Sequence, residues 1–302
     1  GVFAYGVGST LLPSIITSDA AKNIATSGES LEHFFTIEMP PVMGITSALV
    51  LSFILGLGIA ATKSEGLKKI AFEFQNIISK TIESVIIPLL PIHIMGIFAN
   101  MTASGQVSTI FSVFWKVFLI VIICHYVIIF FQFLIGAIIS KKNVFECLKL
   151  QVPGYLTALG TQSSAATIPV NLKCSENMGI SKGIRDFVIP LCATTHMSGS
   201  TITLSLCAMS VMMLHGMPIT FSSFFAFVAM LGVSIVAAPG IPGGAVMASL
   251  GVLELILGFD KPMLSLMIAL YIAQDSFGTA CNVTGDQAVA MIVDTIKDKL
   301  KL

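Results

Sequence analysis

The chain has 302 residues, of which 55% are hydrophobic and only 11% are charged, whereas about a quarter of the residues are charged in a soluble domain. Its 16 basic and 16 acidic side chains cancel, so the net charge gives no reason to expect a nucleic-acid partner. Apolar runs of about 20 residues recur along the chain and predict an all-α polytopic membrane protein.

The first part of the chain predicts membrane helices. Residues 1–16 have the composition of the end of an apolar span, and no signal peptide precedes them, so we expect a chain that lacks its N-terminal helices. Residues 42–62 form an uninterrupted apolar span. Residues 67–101 predict a bent amphipathic segment because prolines interrupt them, and residues 107–140 form another long span.

Two later segments predict helical hairpins. Residues 144–172 are weakly hydrophobic and are interrupted by proline, glycine and a serine-rich run at 161–167. Residues 222–257 repeat this pattern around a proline–glycine cluster at 239–244. We expect each segment to form a helix, a tip and a second helix that enter the membrane only partway.

Residues 271–294 are apolar and long enough to cross a bilayer, yet they carry several polar side chains. Asp275, Thr279, Asn282 and Asp286 fall on one stripe of a helix. A carboxylate at bilayer depth costs roughly 2.5–3.5 kcal/mol, so we expect these residues to bind a cation such as sodium, a proton or a substrate's ammonium group. The alternative is that the two aspartates are paired inside the bundle and are purely structural.

The distribution of lysine and arginine predicts the orientation in the membrane. Basic clusters follow the first two full spans, occupy 173–185 and end the chain, whereas the turns at 102–106 and 215–220 have none. The positive-inside rule then places the C-terminus in the cytoplasm, with the two hairpins entering from opposite faces. The span between them, 187–213, is broken by the polar run 194–200. Inverted pairs of interrupted helices are typical of secondary transporters that bind near the midplane.

Four motifs carry a resemblance to a known family: TQSSAATIPV (161–170), ATTHMSGS (193–200), PGIPGGAVM (239–247) and DSFGTACNVTGD (275–286). In this order the chain resembles the dicarboxylate/amino acid:cation symporters, the glutamate transporter family, and within it the serine/threonine branch. The resemblance implies a glutamate-transporter-like fold with two re-entrant hairpins (about 144–172 and 222–257) and a homotrimer in the cell membrane. It also implies a static scaffold, residues 1–105, and an elevator-type transport domain, residues 106–302.

The same resemblance implies site residues. Those implied as substrate contacts are Ser163, Ser164, Met197, Ser200, Ile241, Gly243, Asp275, Gly278, Thr279 and Asn282, with Asp275 holding the ammonium group. One sodium ion would bind the Asp286 carboxylate and the carbonyls of Cys192, His196 and Asn282, and a second the carbonyls of Thr194, Met197 and residues 234–237. Oxygen ligands from unwound helix suit sodium, and no cofactor other than the coupling ions is expected.

Differences from the family pattern determine which substrate we expect. Members that carry acidic amino acids have an arginine one turn after the first aspartate, where this sequence has Gly278, and Gln162 cannot replace it as a cation. Without a guanidinium group, bidentate recognition of a side-chain carboxylate fails, so we expect sodium-coupled symport of a small neutral amino acid such as serine, threonine or alanine. Ser198 replaces an aspartate that helps to hold a further sodium ion, which leaves the stoichiometry open. His196 could be a proton-linked switch or a hydrogen-bonded side chain of the bundle.

Other functions are weighed against this one. A sodium- or proton-coupled symporter of acidic amino acids or dicarboxylates is the first alternative, and an ion channel is the second, because interrupted helices also line selectivity filters. We do not expect an enzyme: intramembrane aspartyl proteases use aspartates on different helices, and no HExxH motif is present. The six cysteines lack CxxC spacing and are expected to be buried thiols.

Overall fold

The computed structural model of the protein describes residues 1–16, 43, 45–81, 84–85, 87–103, 107–236, 238, 240 and 242–300. Within these ranges all regular secondary structure is helical. The helices are α1 (Val2–Ile15), α2 (Ile45–Thr62), α3 (Glu65–Thr81), α4 (Ile87–Ala103), α5 (Val107–Ser140), α6 (Val144–Thr161), α7 (Ser164–Asn177), α8 (Lys182–Thr195), α9 (Ser198–Leu214), α10 (Phe221–Val236), α11 (Gly244–Leu257), α12 (Lys261–Ile272) and α13 (Asp275–Leu300).

The chain divides into two compact units. One unit is Gly28–Gly105 and contains α2 to α4, and the other combines Gly1–Ser27 with Gln106–Leu302. In the smaller unit, α2 corresponds to the expected span at 42–62. The bent segment expected at 67–101 is divided between α3 and α4, and residues 82, 83 and 86 lie outside the described residues.

Long apolar helices dominate the larger unit. Among the described residues, Phe111–Ser140 and Lys182–Leu214 are long and apolar enough to cross a membrane. The pair Lys261–Ile272 and Asp275–Lys297 would be a third such stretch, but it is bent by 62°. The stretch 271–294 is divided between two helices, since α12 ends at Ile272 and Asp275 is the first residue of α13, and the polar stripe from Asp275 to Asp286 lies on α13 as expected.

Helix α13 lies at the centre of the larger unit, although it carries the polar stripe. It packs against α5, α6, α7, α8 and α9. Its inward residues include Ala280, Cys281 and Ala290, whose small side chains allow neighbouring helices to approach closely. The polar stripe is thus held inside protein and not on an outer face of the unit, as the cost of an exposed carboxylate in lipid requires.

Two helix pairs have the helix–tip–helix form expected from the sequence. We name α6 and α7 the serine hairpin, and α10 and α11 the proline–glycine hairpin. In the serine hairpin, Gln162 adopts a left-handed conformation (φ 52°) that ends α6, and Ser163 caps α7 by accepting a hydrogen bond from the Ala166 amide (3.2 Å). Asn143 caps the start of α6 in the same way. These caps define a sharp tip between two packed helices.

A buried polar cluster, which we name the hairpin clamp, joins the serine hairpin to α13. It consists of Gln151, Asn171, Ser175 and Gln287. Asn171 accepts a hydrogen bond from Gln151 (2.9 Å) and donates one to the Val283 carbonyl (2.8 Å). Gln287 donates to the Asn171 carbonyl (2.8 Å). Because buried polar groups are costly when unpaired, these bonds fix the hairpin on α13.

All six cysteines are free and buried, which confirms the sequence-based prediction for them. Cys124, Cys174 and Cys281, for example, lie within helices packed in the larger unit.

Candidate functional site

A small cavity lies where the tips of the two hairpins meet the breaks between α8 and α9 and between α12 and α13. Its volume is about 20 Å³, which is room for about one water molecule. The lining residues are Gln162, Ser164, Met197, Ser200, Gly240, Ala245, Tyr271, Asp275, Thr279 and Asn282. An amino acid could enter only if one of the hairpin tips moved.

Four helices begin at this cavity. Ser164, Ser200, Ala245 and Asp275 each line it from the first turn of α7, α9, α11 and α13. Helix N-termini present unpaired backbone N–H groups and the positive ends of helix dipoles, which favour an anionic group. The cavity thus combines the positive ends of four helix dipoles with one carboxylate, that of Asp275, and some of the amides at these helix starts are already bonded to Asn282 and Asp275.

Asp275 is almost completely buried, with 4% of its surface exposed. Its Oδ2 accepts a hydrogen bond from the Gly243 amide (2.6 Å), and its Oδ1 accepts one from the Thr279 hydroxyl (3.3 Å). Gly243 has a φ of 74°, which a residue with a side chain rarely adopts, so this contact depends on glycine. The ion pairs described in the structure include none between Asp275 and a lysine or arginine.

The tips of the two hairpins are also in direct contact. The Ser163 hydroxyl donates to the Gly240 carbonyl (2.8 Å). Ser163 therefore lies between the two tips and not on the cavity wall, whereas Ser164 is on that wall. The two hairpins close one side of the cavity.

Asn282 and Ser200 also line the cavity and are bonded to each other. The Asn282 carbonyl oxygen Oδ1 accepts hydrogen bonds from the backbone amides of Gly199 (2.8 Å) and Ser200 (3.2 Å). Its Nδ2 donates to the Ser200 hydroxyl (2.8 Å), which also accepts a hydrogen bond from the Tyr271 hydroxyl (2.9 Å). Since α9 starts at Ser198, Asn282 holds the first turn of that helix in place.

Most residues that the sequence suggested as substrate contacts are close to this cavity. Six of them line it: Ser164, Met197, Ser200, Asp275, Thr279 and Asn282. Gly278 lies just behind the wall, since a Cβ atom there would be 3.7 Å from the Ser200 amide nitrogen and 3.6 Å from the Thr203 hydroxyl. Gly243 contacts Asp275, and Ile241 lies outside the described residues.

Sequence reasoning missed three of the lining residues, namely Gly240, Ala245 and Tyr271. The first two follow from the proline–glycine motif once the hairpin closes. Tyr271 could have been found as the polar aromatic side chain four residues before Asp275, in a segment that is otherwise apolar.

The residues suggested as ligands of the first sodium ion lie close together, but the imidazole ring of His196 lies between two of their oxygens. His196 Nδ1 is 3.0 Å from Asp286 Oδ1 and 3.1 Å from the Asn282 carbonyl oxygen. Its Nε2 is 3.0 Å from Nε2 of Gln132, which assigns the ring proton to Nδ1 when the Gln132 amide donates. A ring N–H thus occupies the place between two oxygens where a cation would bind. Sodium binding there requires the imidazole to turn away.

Asp286 is therefore paired at one of its two carboxylate oxygens. It is 1% exposed, its Oδ1 is paired with His196, and its Oδ2 has no hydrogen-bond partner. Within the described ranges no three His, Cys, Asp or Glu side chains cluster as metal ligands. A sodium ion at this position would rely mainly on backbone carbonyls, which suits a hard cation.

At the second suggested sodium site, the Met197 carbonyl is already hydrogen-bonded. The Met197 carbonyl accepts hydrogen bonds from both the Thr201 amide (3.0 Å) and the Thr201 hydroxyl (2.7 Å), so both of its lone pairs are engaged. Ser234 in α10 is buried with an unpartnered hydroxyl, and residue 237 lies outside the described part of the chain. A cation ligated by Met197 would have to displace the Thr201 hydroxyl.

Comparison of the sequence with known proteins finds relatives that are named amino acid transporters. The chain is 27% identical to neutral amino acid transporter A of Bos taurus over 310 residues, which cover 96% of the chain and 57% of that relative. It is 32% identical to neutral amino acid transporter B(0) of Rattus norvegicus over 170 residues, 56% of the chain and 30% of the relative. It is 26% identical to excitatory amino acid transporter 2 of Homo sapiens over 251 residues, 81% of the chain and 43% of the relative.

The chain spans little more than half the length of the longest-matching of these relatives. A family model described as the sodium:dicarboxylate symporter family matches residues 1–296. That family consists of transporters and not of enzymes. With nearly its whole length matched by this model, the chain belongs to the sodium:dicarboxylate symporter family.

Proposed function

We propose that the protein is a sodium-coupled symporter of a small neutral amino acid, such as serine, threonine or alanine, and that it works by alternating access. One observation carries the proposal: the cavity brings a single buried carboxylate, Asp275, together with four helix N-termini, and its wall has no lysine or arginine. This set of groups complements an ammonium group and one carboxylate, and it lacks a cation for a second carboxylate.

Asp275 is assigned to the ammonium group of the substrate. Burial makes an unpaired carboxylate costly, and a bound ammonium removes that cost. The α-carboxylate is assigned to the donors at the starts of α7 and α11, near Ser164 and Ala245. Both charged ends of an amino acid are then matched, which leaves the side chain to face the remaining wall.

Gly278 supports a neutral side chain. A guanidinium fork at this position would recognise a second carboxylate, and glycine offers no such group. Gln162 lines the cavity but is uncharged. Two of the relatives are named neutral amino acid transporters, although at 27–32% identity their names carry less weight than the missing cation.

Coupling is assigned to the proline–glycine hairpin. Its Gly243 amide is bonded to Asp275, so whatever binds Asp275 also acts on that hairpin. Sodium bound near Asp286 would order Asn282, which holds the first turn of α9. Closure that is favoured only when both ligands are bound couples their gradients, because a ligand shifts an equilibrium only by its differential affinity.

The wider architecture belongs to the same proposal. Both hairpins are re-entrant, residues 106–302 form an elevator-type transport domain, and residues 28–105 contribute to a static scaffold in a homotrimer, since residues 1–27 belong to the larger unit. The protein resides in the cell membrane with its C-terminus in the cytoplasm. The inverted hairpin pair, the bent helices and the family membership support this arrangement.

The test is uptake into proteoliposomes that contain the purified protein and carry an inward sodium gradient. Labelled serine, alanine and aspartate are compared, with a potassium gradient as the control. Saturable, sodium-dependent uptake of serine or alanine above aspartate supports the proposal. Preferred uptake of aspartate would replace it with the acidic-amino-acid symporter, and non-saturable ion flux without amino-acid coupling would replace it with the channel.

A further inference from the structure

Tyr271 is a buried phenol at the wall of the cavity that the proposed chemistry does not use. It lies in the last turn of α12, next to the break before α13, and only 1% of its surface is exposed. Its hydroxyl donates a hydrogen bond to the Ser200 hydroxyl (2.9 Å), at the start of α9. A bulky polar side chain is thus fixed between two helices beside the site.

The hydrogen bonds at Ser200 leave one group free. Its Oγ atom accepts hydrogen bonds from Tyr271 and from Nδ2 of Asn282 (2.8 Å), which uses both lone pairs. The described contacts of Ser200 Oγ include no acceptor for its own proton. The Ser200 hydroxyl can therefore offer a ligand a hydrogen-bond donor, but no acceptor.

The position of the Ser200 hydroxyl suits a contact with the substrate's side chain. The donors assigned to the α-carboxylate lie at the hairpin tips, and Asp275 takes the ammonium group. Ser200 and Tyr271 line the cavity beside Gly278: Ser200 N is 3.7 Å from the place where a Gly278 side chain would begin. A substrate held at both charged ends presents its side chain to this wall.

We propose that Tyr271 is a specificity-determining positioning residue, which holds the Ser200 hydroxyl as a donor to an oxygen atom on the substrate's side chain. The inference rests on the proposed function, since it assumes an amino acid bound at Asp275. It favours a hydroxyl-bearing substrate such as serine over alanine, which has no oxygen to accept the bond. Tyr271 acts on the substrate's side chain through Ser200; its hydroxyl also interacts with the Asp275 carboxylate, and that effect is common to serine and alanine.

The test is the Tyr271→Phe substitution, which removes the hydroxyl and keeps the ring. We expect the half-saturating concentration for serine uptake to rise about tenfold more than the value for alanine, as for the loss of one hydrogen bond, because the effect through Asp275 is common to both substrates. Tyr155→Phe is the matched control, because it also removes one phenol hydroxyl, which bonds only to Tyr126 in the described structure. That control should leave the serine-to-alanine ratio unchanged.

A second variant keeps the inference falsifiable if Tyr271→Phe folds poorly. Ser200→Ala should lower the serine-to-alanine preference to the same extent, and the double variant should lower it no further than Ser200→Ala alone. A Tyr271→Phe protein with an unchanged serine-to-alanine ratio overturns the inference. Additive losses in the double variant would overturn it as well.

Failure of the proposed function gives a different result. If the wild-type protein prefers aspartate, the neutral-substrate proposal is wrong, while the inference is tested by the aspartate-to-alanine ratio. The aspartate side chain also carries an acceptor oxygen, so Tyr271→Phe should lower that ratio. An unchanged ratio would overturn the inference for that substrate too.

Discussion

The imidazole of His196 lies where the family resemblance places a sodium ion. Its Nδ1–H faces both the Asn282 carbonyl and Asp286 Oδ1, two of the suggested ligands. An N–H donor at this point satisfies the oxygens without an ion. A sodium ion at the suggested position would therefore compete with a hydrogen bond that the protein already makes.

Removing this competitor should strengthen sodium binding. We predict that His196→Ala lowers the half-saturating sodium concentration for uptake by about tenfold, because a hydrogen bond to a charged group is worth about 1.5–3 kcal/mol and part of this is lost in the cavity left by the ring. The measurement is the sodium dependence of uptake and of the unfolding temperature. His215→Ala is the control, since His215 bonds only to the Val211 carbonyl of its own helix in the described contacts. An unchanged sodium dependence would show that the ring does not occupy the ion's place.

The close packing of His196 against α13 depends on a glycine. A Cβ atom at Gly285 would lie 2.2 Å from Cε1 of His196 and 2.6 Å from Oε1 of Gln132. We predict that Gly285→Ala destabilises the protein by about 1–3 kcal/mol, as overpacked cores do, and lowers its thermal unfolding temperature in detergent. Gly160→Ala provides the comparison, because that helical glycine has no atom within 4 Å of its Cβ position. Equal unfolding temperatures for the two variants would contradict the described packing.

At the scale of elements, the hairpin clamp and the tip contacts differ in strength. The serine hairpin is held on α13 by several buried hydrogen bonds, whereas the described polar bonds of the proline–glycine tip are those of Gly243 to Asp275 and Ser163 to Gly240. The first hairpin is therefore part of the rigid body around α13. The second depends on bonds that a bound substrate would replace.

The clamp makes a prediction about stability. Asn171→Ala removes two buried hydrogen bonds, those to Gln151 and to the Val283 carbonyl, and leaves Gln151 without an acceptor. We expect a loss of about 2–4 kcal/mol and a clear fall in the unfolding temperature. Asn177→Ala, at the exposed end of the same helix, should leave that temperature unchanged. A fall of similar size in both variants would mean that the clamp contributes nothing specific.

Some of these elements could be predicted from the sequence, and others could not. The break between α8 and α9 follows from the polar run around His196 and Met197, and the hairpin tips follow from serine, proline and glycine. The break before Asp275 has no such signal, because Ala273 and Gln274 neither remove a backbone donor nor favour a turn. There the Gln274 side chain donates to the Leu270 carbonyl (3.1 Å), a compensation that depends on tertiary packing.

The candidate site, too, could be predicted from the sequence only in part. The stripe of Asp275, Thr279, Asn282 and Asp286 follows from helical periodicity, and these residues are buried on α13. The partners of the stripe come from other helices, so periodicity alone could not pair His196 with Asp286 or Tyr271 with Ser200. Long-range contacts of this kind are set by how the helices pack and not by local sequence.

At the scale of the whole molecule, one charge is placed where four helices begin. Asp275 lies among the N-termini of α7, α9, α11 and α13, in a unit whose interior also holds the hairpin clamp and the pair of Asp286 and His196. An amino acid with one positive and one negative end fits such a field with little net charge to bury. In the proposed function, a bound ammonium group makes the buried carboxylate favourable, and we expect occupancy of the site to depend on Asp275 being charged.

The most direct test of the central claim is sodium-driven serine uptake by Asp275→Asn. Asparagine keeps the shape of the side chain and removes the charge, so we predict that uptake falls at least about a hundredfold while the unfolding temperature does not decrease. Asp260→Asn is the control: Asp260 caps α12 away from the cavity, asparagine caps equally well, and uptake should be unchanged. Serine uptake by Asp275→Asn at the wild-type level would contradict the assignment of Asp275 to the substrate's ammonium group, and with it the account of this site.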